Sequence, residues 1–344
     1  MKPAVRCLAM AAMLCLALGM GCRAQQPLVT SLEAGETGWF RFPTRDVEGF
    51  QELFAGAKEY NGSSLGALYL PPGADAGHRA AVMVILHGSG GEWSGRGRDQ
   101  AEFLVQHGVG AFVVDTFSGR GLTRDDKYVP RLMRVNIPDQ LTDAFAALEL
   151  LHTHPFVDSE RIGVMGYSMG GTTAMLAAVE QTARAASRTD HRFALHVPMY
   201  APCIIQTEAM ATTGAPIVPL WGEQDKATPR PRCEAMVAAL RAGGSTVEPQ
   251  WFPDAAHGWN GHEPLQYYED IPNFAPCSYV ISADGSVREQ VAGTVSFTDS
   301  EMIENAEHCV SWGYTLGRHE QTLRAANEAL LDAIETYMGA PGAP

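Results

Sequence analysis

The feature that most constrains this chain is Gly166-Tyr167-Ser168-Met169-Gly170-Gly171. An apolar run, residues 162–165, leads into it, and a helical pattern, residues 172–179, leads out. A serine flanked by glycines between a strand and a helix makes a sharp turn that lifts the hydroxyl above the sheet. The glycines have a mechanical reason: side chains at 166 or 170 would collide with the neighbouring helix and strand, and Ser168 is expected in a strained backbone conformation. The helix N-terminus beneath favours negative charge developing beside the hydroxyl. An ordinary glycine-rich turn is the plain alternative, and the flanking strand and helix argue against it.

The rest of the chain repeats that alternation. Residues 81–86 (AVMVIL) form a continuous apolar run, as expected of a strand buried on both faces. Residues 111–115, 162–166, 194–199 and 216–221 have the same character. Between them, Leu141, Ala144, Phe145, Leu148 and Leu151 recur at helical spacing, and residues 100–106 read as a helix ended by Gly108. Leu323, Ala326, Leu330, Ile334 and Tyr337 mark a final amphipathic helix. Alternating strands and helices predict an α/β fold with a mostly parallel central sheet and helices on both faces. Residues 36–72 read as antiparallel β entering that sheet.

One stretch does not fit. Residues 263–315 stand between His257 and the final helix, and they read as an insertion. Residues 279–282 and 287–290 flank Asp284-Gly285, a pair that favours a tight hairpin turn. Thr298 and Glu301 stand at capping-box spacing before a short helix.

Composition narrows the partners and the compartment. A formal charge of −14 lacks the basic footprint a nucleic-acid partner requires. Residues 1–24 read as a signal peptide: Lys2 and Arg6 precede an uncharged stretch, residues 7–22, too short for a span of about 20 residues. Two endings stay open, cleavage before Gln25 or lipidation of Cys22 within Leu18-Gly19-Met20-Gly21-Cys22. The expected location is therefore secreted or periplasmic, with a membrane reached only through a lipid anchor, and residues 25–344 are expected to form a single mature domain that includes the insertion. Beyond the leader, Cys203, Cys233, Cys277 and Cys309 remain. Four cysteines allow three pairings, and Cys203–Cys233 with Cys277–Cys309 is the one expected. Four buried thiols are the alternative.

The chemistry-bearing residues follow the strands. His87-Gly88-Ser89-Gly90-Gly91 succeeds the strand at 81–86 and offers backbone that substrate can approach closely. The amides of Ser89 and Met169 are the expected oxyanion donors, with His87 structural. Asp225, in Gly222-Glu223-Gln224-Asp225, sits where a strand's C-terminal end supplies site residues, and Glu223 is its rival. His257, in Asp254-Ala255-Ala256-His257-Gly258, follows the strand at 246–252. Ser168, Asp225 and His257 then run in the order nucleophile, acid, base. His152 and His154 stand off one helical face without neighbouring ligands, so no metal site is expected. Trp93, Tyr167, Tyr200 and Trp259 flank the motifs and are the candidates to line a substrate pocket.

With LHGSGG, VVDTFSGRG, GYSMGG, LWGEQD and DAAHGW in place, the chain resembles the dienelactone hydrolase family of the α/β-hydrolase fold. The similarity runs from about Ser64 to the final helix. It implies a carboxylic ester hydrolase working without a cofactor on a small-molecule ester. The family's namesake enzymes carry a cysteine nucleophile, whereas position 168 is serine, which favours ordinary ester chemistry. GYSMGG also resembles the elbow of secreted cutinase-like hydrolases. A serine peptidase of the prolyl-oligopeptidase type is the nearest enzymatic alternative, set back because no propeller-sized domain precedes the core. A non-catalytic envelope binding protein on the same fold is the alternative from another class. Oligomeric state is left open.

Overall fold

The computed structural model describes residues 26–339, so the expected leader, residues 1–24, and Cys22 lie outside the described residues. The main sheet has eight strands: β1 (Gly38–Thr44), β2 (Gly62–Tyr69), β3 (Ala80–Leu86), β4 (Gly110–Asp115), β5 (Val157–Tyr167), β6 (His196–Met199), β8 (Leu220–Gly222) and β9 (Gln250–Phe252). The short β7 (Ile205–Thr207) lies outside it. The order is β1-β2-β4-β3-β5-β6-β8-β9. β2 runs antiparallel to β1 and β4, and every pair from β4 to β9 is parallel. That is the mostly parallel sheet expected, with its antiparallel entry at one edge.

The apolar runs form two-sided strands because alternate side chains leave opposite faces. Val82, Val84 and Leu86 of β3 join one core, together with Phe112 and Val114 of β4. Ala81, Met83 and Ile85 join the other, together with Ala111 and Val113. The helix Ile137–Leu151 covers the first face, opened by a capping box between Asn136 and Asp139. Of its residues only Glu149 is not buried, so it is enclosed more fully than its apolar stripe suggests. The helices Arg96–Gln106 and Glu320–Met338 cover the second face through Ala101, Leu104, Leu330 and Ile334.

The C-terminal strands are shorter than the apolar runs that announce them. β8 takes up only the end of 216–221, and β9 only the end of 246–252. Ile217 and Val247 continue the alignment as a single bridge.

The insertion folds into two small sheets. β10 (Gln266–Asn273) pairs antiparallel with β14 (Ser311–Leu316). β11 (Tyr279–Ile281), β12 (Val287–Glu289) and β13 (Val295–Ser296) form a meander, and β11 adds in parallel to β7. The Asp284-Gly285 turn joins β11 to β12 as expected, with Gly285 at φ 84°. The helix Asp299–Asn305 carries both halves of the Thr298/Glu301 capping box. Disulfides join Cys203 to Cys233 and Cys277 to Cys309, the pairing expected. The second fastens the start of β11 to the chain just before β14, so the insertion is closed on itself. Two disulfides fit a protein of an oxidising compartment. No helix among the described residues is long and apolar enough to cross a membrane.

Candidate active site

Ser168 ends β5 and opens the helix Met169–Leu176 with φ 53° and ψ −112°, a conformation L-residues rarely adopt. Its amide is held by the Met199 carbonyl of β6 at 3.0 Å. The glycines around it meet the expected constraint. A Cβ on Gly166 would collide with the Gly170 main chain, and one on Gly170 with the carbonyl oxygens of Leu86 and His87. The turn is therefore wedged between the helix it starts and the end of β3, and the strain at Ser168 is held by packing on both sides.

Asp225 and His257 reach this serine from the ends of β8 and β9. His257 Nδ1 lies 2.8 Å from Asp225 Oδ2 and Nε2 lies 3.0 Å from Ser168 Oγ. The carboxylate accepts from Nδ1–H, which leaves Nε2 to accept the serine proton. The other oxygen, Asp225 Oδ1, accepts from the Ala227 amide at 2.8 Å. Asp225 and His257 are both buried, while Ser168 is half-exposed. Glu223, the rival carboxylate, turns outward to Arg230 at 2.7 Å.

The loop after β3 completes the floor. Gly88 packs against Tyr167 and Ser168, where a side chain would be tight against the Tyr167 carbonyl at 3.1 Å. The Gly88 carbonyl accepts from the Gly91 amide at 2.9 Å and from His87 Nδ1 at 2.8 Å. Burial pushes the His87 imidazole below its usual pKa, so it is neutral and able to donate one proton to that carbonyl. The two bonds fix the peptide plane between Gly88 and Ser89. Ser89 and Met169 both line the cavity over Ser168, and neither amide has a main-chain partner among the described residues.

That cavity, about 800 Å³ counted out to its open mouth, is walled mainly by apolar side chains. Leu132, Ile137, Ile204 and Ile205 come from the core domain, while Phe274, Met302 and Ile303 come from the insertion. Tyr128, Asn136, Asn273, Tyr279 and Tyr314 add polar atoms, and no Lys or Arg is among its lining residues. Burial pushes the Tyr128, Tyr279 and Tyr314 hydroxyls above the usual phenol pKa, so they stay neutral.

The four aromatic residues expected in the pocket are not among its lining residues, which is a correction. Tyr200 and Trp259 are fully buried behind the imidazole, in the second core. Tyr200 stands edge-on to His257 at 4.8 Å and donates to Asn260 Oδ1 at 2.5 Å, so it packs against the imidazole from the second core. Burial pushes its hydroxyl up to about 12. Tyr167 points to the face opposite its neighbour Ser168, as strand alternation requires. Trp93 stacks on Phe117 at 5.7 Å and lines, with Tyr167, a separate cleft beside the loop after β3. Apart from Ser89, Ser168, Met169 and His257, the residues that line the cavity carry no motif. Several of them come from the helix Tyr128–Arg134 and from the insertion, where the sequence offers no pattern that marks a wall.

The sheet order, the strained serine turn and the hydrogen-bonded Ser168, His257 and Asp225 together define an α/β-hydrolase. The profile of the Dienelactone hydrolase family matches residues 66–295, and the chain belongs to that family, a carboxylic ester hydrolase. A Salmonella typhimurium protein provisionally named a carboxymethylenebutenolidase is 26% identical over 218 residues, covering 60% of this chain and 78% of that protein. A Bacillus subtilis protein, the uncharacterized peptidase YtmA, is 49% identical over 45 residues, 13% of this chain and 18% of its own length. Among solved structures, one from Klebsiella pneumoniae provisionally named a dienelactone hydrolase is 15% identical with a TM-score of 0.52. The match covers 87% of this chain and 99% of that one, and at such identity it bears on the fold alone.

Proposed function

We propose that this chain is an exported serine esterase that hydrolyses small, uncharged carboxylic esters by acyl transfer. The observation that carries the reading is the unbroken relay from Ser168 Oγ through His257 to Asp225 at the floor of an apolar cavity. In the first half-reaction His257 Nε2 takes the Ser168 proton as Oγ attacks the ester carbonyl. Asp225 holds the tautomer and stabilises the imidazolium that forms. The carbonyl oxygen becomes an oxyanion facing the amides of Ser89 and Met169, and the second of these opens a helix whose N-terminal dipole favours the charge. Collapse of the tetrahedral intermediate breaks the bond to the alcohol, which leaves with the proton from His257. Water then attacks the acyl-enzyme by the same route and releases the acid.

The substrate class follows from the cavity. A carboxylate placed against its apolar wall would be desolvated with no cation to pair with, at a cost of several kcal/mol. That separates this chain from a carboxylate-bearing lactone substrate, the class suggested by the family's namesake. Two disulfides and the leader sequence support export, with Cys22 as a second, lipid-anchored route.

A substrate panel tests the reading. Acetyl, butyryl and hexanoyl p-nitrophenyl esters should be turned over, while a dienelactone carboxylate and a prolyl anilide should not. Turnover of the charged lactone alone would overturn the substrate class, and turnover of the anilide without the esters would make the chain a peptidase. An active-site phosphonate should add its mass to Ser168, and failure to do so would favour a binding protein.

A further inference from the structure

The loop Gly88–Gly91 contains three glycines in four residues, and Gly91 takes φ 81°. Such backbone carries a large conformational freedom, yet an oxyanion donor acts only when held in place before the reaction. His87 and the Gly91 amide hold the carbonyl end of the peptide that carries the Ser89 amide, and its other end is set by the Ser89 residue itself. Ser89 is held from across the cavity by the helix Tyr128–Arg134. The Tyr128 hydroxyl donates to Ser89 Oγ at 2.8 Å, and Arg131 Nη2 donates to the Ser89 carbonyl at 2.8 Å.

The arginine is itself immobilised. It is 6% exposed, and its guanidinium lies 5.1 Å from the Trp93 ring, 5.2 Å from Phe117 and 5.6 Å from Tyr128. Surrounding a planar cation with three rings fixes its direction and leaves few alternative positions for the donated bond. The same helix carries Leu132 into the cavity wall and packs on the insertion helix Asp299–Asn305, whose Met302 and Ile303 face the substrate space. The wall that receives the substrate and the clamp on Ser89 are thus one element.

We propose that Tyr128 and Arg131 are positioning residues for the oxyanion hole: through Ser89 Oγ and the Ser89 carbonyl they hold its amide in the geometry the tetrahedral intermediate needs. This rests on the reading of Ser89 as an oxyanion donor. Neither residue contributes the donor, so their loss lowers the rate of the chemical step and leaves ground-state binding intact.

The test compares Tyr128→Phe, Ser89→Ala and the double variant on p-nitrophenyl butyrate, with phenylboronic acid as a probe of the tetrahedral state. Ser89→Ala removes the other end of the same hydrogen bond and keeps the amide, so it stands in should Tyr128→Phe fold poorly. Each single variant should lose about tenfold in kcat with KM within about twofold, a fraction of what deleting a donor costs. The boronate affinity should fall in the same proportion, and the double variant should be no worse than either single one. Unchanged kcat, a change confined to KM, unaltered boronate affinity, or losses that multiply in the double variant would each overturn the clamp. Wild type and Ser168→Ala run alongside. A wild type no faster than Ser168→Ala defeats the esterase reading itself, whereas an active wild type with unaffected Tyr128→Phe and Ser89→Ala defeats the clamp alone.

Discussion

The Tyr314 ring stands edge-on to the His257 imidazole, with 5.4 Å between centroids and an interplanar angle of 89°. Tyr314 belongs to β14, the last strand of the insertion, and His257 to the loop after β9. The two segments are also joined through main chain, since the Gly317 amide donates to the His257 carbonyl at 3.0 Å. The ring of Tyr200 also approaches this imidazole, edge-on at 4.8 Å. The imidazole therefore meets one aromatic from the core and one from the insertion, so the insertion supports the proposed relay as well as roofing the cavity.

Removing that contact should slow turnover without unfolding the protein. Tyr314→Ala forfeits an edge-to-face pair of about 0.5–1.5 kcal/mol and opens space beside His257. A fall of about tenfold in kcat/KM is expected, whereas Tyr314→Phe should retain most activity because the ring makes the contact. Steady-state kinetics of the two variants checks this. Equal losses in both would move the role from the ring to the hydroxyl.

The insertion should depend on its staple. Cys277 and Cys309 are 32 residues apart, and opening a loop of that length is expected to cost about 2–4 kcal/mol. The double variant Cys277→Ser/Cys309→Ser should show a lower urea midpoint and a raised KM, because Phe274, Met302 and Ile303 lie within or beside the closed segment. An unchanged midpoint would mean that β7–β11 pairing alone secures the roof.

The glycines of the elbow should tolerate no side chain. Gly170→Ala places a methyl against two backbone carbonyls that belong to β3 and its loop and have little room to retreat. About 1–3 kcal/mol of stability should be lost to overpacking, with esterase activity falling further because Ser168 and the Met169 amide move with the turn. Thermal unfolding and initial rates measured together would show it. Full activity in this variant would contradict the wedge.

Stability should depend on pH through a buried carboxylate pair at the foot of the insertion helix. Burial, only partly offset by Arg120, raises the Asp139 carboxyl to about 7. Asp299, buried near it, is raised well above the usual carboxylate range, first by burial and then by Asp139. A folded pKa above the unfolded one means that the folded state binds more protons. Its stability therefore declines as pH rises from about 4, the unfolded value, through the folded pKa. Asp299→Asn removes one such group, so its gain in Tm over wild type should be larger at pH 8 than at pH 5. His196, lowered to about 4 by burial, acts oppositely below neutrality and is common to both proteins, so it cancels in the comparison. A gain independent of pH would exclude titration of Asp299 as its source.

Much of this was legible in the sequence, and the reason is local. Strands such as β3 and β4 are buried on both faces, so their apolar runs need no partner to be read. The glycines at 166 and 170, and the positions of Asp225 and His257 after strands, single out three side chains that the fold brings within hydrogen-bond reach. The pocket was not legible. Trp93, Tyr167, Tyr200 and Trp259 lie next to the motifs along the chain, but side-chain direction turns them to the core or to a separate cleft beside the loop after β3. The wall is built by Tyr128, Leu132, Met302 and Tyr314, whose proximity depends on contacts far apart in sequence. The parallel pairing of β7 with β11 likewise leaves no periodic trace, since both strands are three residues long. The hairpin and capping box inside the insertion were readable because each is set within a few residues.

The central claim is that the Ser168 hydroxyl attacks the ester. It is tested most directly by the initial rate on p-nitrophenyl butyrate for wild type and Ser168→Ala. The wild type should turn the ester over, and the variant should lose at least about a thousandfold, because the acyl-enzyme can no longer form. Equal rates in the two proteins would mean that the hydrolysis is incidental, and would contradict the relay and the mechanism built on it.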